Sequence, residues 1–162
     1  MNTIIKNPFA VLTTVELGSG YCIQDLPAML IDMGHQMMGA VRGVLQNPPF
    51  QSSETMEADL VSVSVVDLGL EDGVSREVAY GRAQELGLKV CPHDVAPMFR
   101  LKYHNQPNNE TLIVATEPLG DPADPKLFAV VRGAHGDSYL AFLRTGGKFK
   151  KSDRLVFIQP RT

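Results

Sequence analysis

The chain has 162 residues, no tryptophan, 44% apolar and 20% charged residues, and a formal net charge of -3, the profile of an ordinary globular protein. A chain of this length buries about 70% of the surface its unfolded form exposes, so one domain over residues 1–162 needs no disulfide or metal to fold. Collagen-like, coiled-coil and disordered classes are excluded.

Met1 to Phe9 holds one lysine in a short, broken apolar run without a small-residue cleavage pattern, which does not match a signal peptide. Ala10 to Val15 is an apolar, β-branched run closed by Glu16-Leu-Gly-Ser-Gly20 and reads as a strand and turn. The strongest helical pattern follows, with Asp25 as N-cap, Pro27 in the first turn and Asn47-Pro48-Pro49 as the stop. At about 100° per residue, Leu26, Met29, Leu30, Met33, Met37, Ala40, Val41, Val44 and Leu45 share one broad face. Asp32, His35, Gln36, Gly39, Arg42 and Gly43 share the opposite face, and such polar residues make a membrane span unfavourable.

Residues 46–58 read as a polar, mobile connecting loop. Asp59 to Val66 alternates as a half-buried strand does. A second helix begins at Ser75 as N-cap, turns Val78, Ala79, Ala83 and Leu86 inward and stops at Gly87. Cys91 to Pro97 is a proline-bracketed loop. From there the pattern is a run of strands: Met98–Tyr103, Thr111–Glu117, Leu127–Arg132, Ser138–Thr145 and Arg154–Gln159, separated by turn formers. Strands joined in this way pair antiparallel. The expected fold is therefore α+β, an antiparallel meander sheet packed with two helices.

Thr111–Thr116, Leu127–Val131 and Tyr139–Leu143 are apolar on both alternating sets, so their sheet needs cover on both faces. Two helices supply too little, and a second copy in a homodimer is expected to supply the rest. Met29, Met33, Met37, Met38 and Val41 form the expected interface, because methionines adapt to imperfect fit; packing in the chain's own core is the plainer reading of the same face.

A resemblance enters with Tyr80-Gly-Arg-Ala-Gln-Glu-Leu-Gly-Leu88, Cys91-Pro92, Arg100-Leu-Lys-Tyr103 and Gln106-Pro107. This set resembles a recurrent signature of small uncharacterised bacterial proteins, including ones carried on integron gene cassettes and other mobile elements. It spans about residues 60–117. It implies a bacterial, cytoplasmic accessory protein and carries over no catalytic residue.

Several constellations invite chemistry. Cys91 and His93 share one loop, so a thiolate nucleophile with an imidazole base is one reading, and a small buried thiol is the other. With Cys22 and Cys91 the only cysteines and no Cys-x-x-Cys spacing, neither a disulfide framework nor a cysteine zinc site is written, and a reducing cytoplasm fits. His35, His93, His104 and His135 share no ligand spacing, so no metal is expected, and no cofactor fingerprint occurs. Arg100 and Lys102 on one face of a strand, with Tyr80 and Tyr103 as walls, could receive a small anionic ligand; a solvated edge strand is the alternative.

Charge is unevenly distributed. Residues 1–125 carry a balance of -9 and residues 126–162 one of +6. The basic hairpin 144–154, with Phe149 among Lys148, Lys150, Lys151 and Arg154, could follow a nucleic-acid backbone weakly. A sequence pI of about 5.8 argues against a dedicated nucleic-acid binder. The leading expectation is a non-enzymatic ligand-binding or protein-interaction domain acting as a homo-oligomer, with the Cys91 enzyme and the nucleic-acid binder as alternatives.

Overall fold

The structure is a computed structural model that describes residues 9–18, 25–38, 40–45, 56–120, 123–144 and 148–161. The elements in chain order are β1 (Thr13–Leu17), α1 (Leu26–Asp32), β2 (Gln36–Met37), α2 (Val41–Leu45), β3 (Met56–Ser64), β4 (Val74–Ser75), α3 (Arg76–Glu85), α4 (Val95–Lys102), β5 (Thr111–Val114), β6 (Lys126–Arg132), β7 (Ser138–Arg144), β8 (Lys148–Phe149) and β9 (Arg154–Gln159). Seven strands form one sheet in the order β1-β3-β9-β5-β6-β7-β2, and β4 pairs with β8 in a separate ribbon.

The sheet is mixed rather than an antiparallel meander, because β5 runs parallel to β9 and β2 parallel to β7. The last strand enters the middle of the sheet instead of extending its edge. Its residues Leu155, Val156, Phe157 and Ile158 are all buried, and a strand apolar on both sides gains most between two neighbours. It lies antiparallel to β3 with Leu60 opposite Ile158 and Val61 opposite Phe157.

Alternation along the strands divides the core in two. Leu60, Leu112, Val114, Phe128, Val130, Val156 and Ile158 pack on one face with residues of α1, α2 and α4. Val61, Val63, Ile113, Leu127, Leu155 and Phe157 pack on the other with α3 and Phe149 of β8. Both faces are thus covered by this chain's own elements, four helices among the described residues rather than two. The need for cover, from which a second copy was expected, is met without one.

The extra helices come from two misread segments. The pattern from Leu26 to Leu45 is broken at Gly34, whose φ of +85 closes α1 in a Schellman turn. The Gly34 amide donates to Ile31 O (2.9 Å) and the His35 amide to Leu30 O (2.9 Å). The chain then leaves as an extended pair, Gln36–Met37, beside Tyr139 and Leu140, before α2 starts. Met98–Tyr103, expected as a strand, belongs to α4, in which every residue from Val95 to Leu101 is buried. A helix surrounded on all sides loses the polar stripe that betrays its period. Pro97 lies in its first turn, where its missing amide costs no intrahelical bond.

Asp25 precedes α1 without a capping hydrogen bond from its side chain, and Val78, expected inward on α3, faces solvent, while Ala79 and Ala83 are buried. Ser75 caps α3 by accepting from the Val78 amide (3.2 Å), and Gly87, with φ +89, ends it. Of the loop expected at 46–58, residues 46–55 lie outside the described residues, and Met56 to Ala58 open β3.

Candidate functional site

Cys91 and His93, expected as nucleophile and base, meet different backbone carbonyls. The Cys91 amide donates to Ala115 O (2.7 Å), which anchors the loop on the end of β5 and turns the thiol into the core beside Val95 and Ala96. Sγ donates to Val156 O (3.4 Å), and burial pushes the thiol's pKa strongly upward, away from the reactive thiolate. His93 directs Nε2 at Glu117 O (2.7 Å).

The four residues expected to bind a ligand are separated by the sheet. Tyr80 projects from α3 into the cluster on one face, edge-on to Phe157 (5.7 Å), with its hydroxyl donating to Thr116 O (2.8 Å). Arg100 and Tyr103 stand on the opposite side, at the end of α4, because this segment is a helix on that face rather than a strand beside α3. Lys102 is exposed.

Arg100, 1% exposed, is a structural clamp. Nη1 donates to Gln106 Oε1 (2.8 Å) and Val131 O (3.1 Å), and Nη2 to Tyr103 O (2.9 Å). Gln106 in turn donates to Glu110 O (3.2 Å) and Val130 O (3.0 Å). The pair thereby ties the segment after α4 to β6. Tyr103 stacks on Phe99 at 5.0 Å and reaches Glu110 (3.1 Å). Burial, with Arg132 nearby, lowers the Arg100 pKa to about 10, so the guanidinium remains charged at neutral pH. Arg100, Tyr103 and Gln106, which carried the resemblance, are occupied in holding the backbone.

The basic segment 144–154 is not a hairpin, since β8 pairs with β4 rather than with β7 or β9, and it does not present an aromatic. Phe149 is buried against the α3 face, while the Lys150 amide donates to Asp153 (2.9 Å) and the Lys151 amide to Asp72 (2.6 Å). Residues 145–147 lie outside the described residues. The methionines separate as well. Met29, Met33 and Met38 are exposed, Met37 is half-buried, and Val41 is wholly inside the core.

A cleft opens where sequence reasoning saw only the polar face of a helix. The Schellman turn, β2 and α2 border an open cleft of about 430 Å³ lined by Ile31, Gly34, His35, Gln36, Met37 and Arg42. His35 is its fixed member. Its Nδ1 lies 2.7 Å from Ser138 Oγ, at the start of β7, and the residue as a whole is 8% exposed. Nε2 is buried and has no hydrogen-bond partner among the described residues.

Burial, then the positive charges of Arg100 and His104, lower the His35 pKa to about 4, so the ring is neutral at pH 7. Arg42, exposed at the second position of α2, forms no ion pair among the described residues. The arrangement offers an uncompensated guanidinium, a neutral imidazole and an amide beside the apolar Ile31 and Met37. Such a lining suits an anionic head carried on an apolar body.

The signal for this cleft was Gly34 inside an otherwise continuous helical pattern, followed by His35, Gln36 and Arg42. Among the described residues, no group of three or more His, Cys, Asp or Glu gathers to hold a metal ion. Nor is any helix among them long and apolar enough to cross a membrane. No protein-family model matches the chain, and neither the curated proteins nor the solved structures give a match.

Proposed function

We propose that this is a non-enzymatic, ligand-binding accessory protein that takes a small anion with an apolar body in the cleft of His35 and Arg42. The observation that carries the reading is Arg42, a cation without an ion-pair partner among the described residues, on the wall of an open cleft of about 430 Å³ with apolar Ile31 and Met37 beside it. The bacterial, cytoplasmic setting implied by the resemblance belongs to the same reading. So does self-association, which is favoured by the exposure of Met29, Ile31, Met33 and Met38 on α1 and the segment after it.

The test is thermal or urea unfolding with 1-hexanesulfonate, an anion whose charge is constant across the working pH range. A ligand at ten times its Kd stabilises the fold by about 1.4 kcal/mol. Wild type gains this stability and Arg42→Gln loses most of the gain. Equal gains in both proteins, or none in either, would remove the reading.

A further inference from the structure

We infer that the cleft binds its anion together with a proton, which His35 takes up from solvent, so that affinity rises as pH falls. The inference rests on the proposed anion site and adds its regulation.

The groups around the imidazole are distinctive in sign. From β7, Ser138 holds Nδ1. From α4 and the segment after it, Arg100 and His104 act on the ring, and both are basic. From α2, Arg42 shares the cleft wall; on the ring's own segment, Gln36 is neutral and Asp32 is exposed at the end of α1. Of the carboxylates on the adjoining segments, Glu110 is engaged with Tyr103, and Asp137, which precedes Ser138, is exposed. Protonating His35 in the empty cleft therefore adds a positive charge where the charges acting on the ring, Arg100 and His104, are of the same sign.

An anion in the cleft supplies the missing negative charge. In the imidazolium both ring nitrogens carry a proton, with Nδ1–H donating to Ser138 Oγ and Nε2–H having no partner among the described residues, so the charge is balanced by the anion. The proton comes from solvent and leaves with the anion, so no other group changes its charge. An opposite charge within a few ångströms raises a pKa by roughly 1–3 units. A rise of about two units tightens binding about tenfold between pH 7.5 and 5.0, because the two species share one linkage.

Calorimetric titration with 1-hexanesulfonate tests this, in buffers of different ionisation enthalpy so that proton uptake is read directly. The expected result is about tenfold tighter binding at pH 5.0 than at pH 7.5, with a proton taken up, and neither effect in His35→Asn. Should that variant fail to fold, the titration of the His35 ring in wild type, followed by NMR, answers the same question. Its midpoint moves from about 4 to about 6 when the probe is present. Arg42-dependent binding that is unchanged with pH, or a midpoint that does not move, would overturn the proton coupling and leave the anion site standing. Absence of binding at every pH would overturn both.

Discussion

Lowering the pH should destabilise the folded protein through His35, and the sign follows from the two states of the ring. In the unfolded chain the imidazole titrates near its ordinary value of 6.5, whereas in the fold burial, Arg100 and His104 lower it to about 4. Between these values the unfolded chain binds the extra proton, so stability is complete above pH 6.5 and is lost as pH falls toward 4. At about 1.4 kcal/mol per tenfold change in proton affinity, the full displacement corresponds to about 3 kcal/mol. Solvent in the open cleft beside the ring screens part of this, which leaves about 1–2 kcal/mol. Urea unfolding of wild type and His35→Asn at pH 7.5 and 4.5 isolates the contribution, since asparagine retains a partner for Ser138 and does not titrate. Wild type should lose about 1–2 kcal/mol more than the variant over this interval. Equal losses would refute the claim that the ring is held neutral by its surroundings.

Arg100→Met should cost about 2–4 kcal/mol in urea unfolding, because it strands the Val131 and Tyr103 carbonyls and Gln106 Oε1. Arg100→Lys should recover only part of this, since an ammonium lacks the fork, and a loss below about 0.5 kcal/mol in Arg100→Met would contradict the clamp. Peptide mass spectrometry after iodoacetamide treatment should find Cys91 unlabelled in the folded protein at pH 8 and labelled in urea; rapid labelling without denaturant would restore a reactive thiol. Light scattering should give about twice the 17.7 kDa chain mass. Met33→Glu, at a position already 54% exposed, should lower that mass while changing unfolding by no more than about 0.5 kcal/mol, and a monomeric wild type would end the self-association reading.

What the sequence disclosed was mostly local. Ser75 and Gly87 mark α3 because a hydroxyl cap and a left-handed stop act within one turn of the chain. The strands of the core were recognisable from their β-branched runs, and their two-sided apolar character correctly demanded two covered faces. The central place of β9 was not recognisable, since its partners β3 and β5 are chosen by burial across the whole chain. The helix α4 was hidden because Arg100 is polar by type and buried by position, so its side chain imitated the outward residue of a strand. The cleft was hidden by a related confusion. Met33 and Met37 continue the apolar rhythm of α1 across Gly34, although the backbone has already turned there and brought His35 against Ser138. Cys91 and His93 were adjacent in sequence, but the hydrogen bonds of the loop send the thiol inward and the imidazole to Glu117 O.

The central claim, that an anion enters the cleft of Arg42 and His35, is tested most directly by mapping where one binds. Titration of isotopically labelled protein with 1-hexanesulfonate at pH 6, read from backbone amide shifts, should move Gly34, His35, Gln36, Met37 and Arg42 together along one saturating curve. Shifts centred instead on the exposed lysines Lys148, Lys150 and Lys151, or no saturable shift anywhere in the chain, would contradict the account.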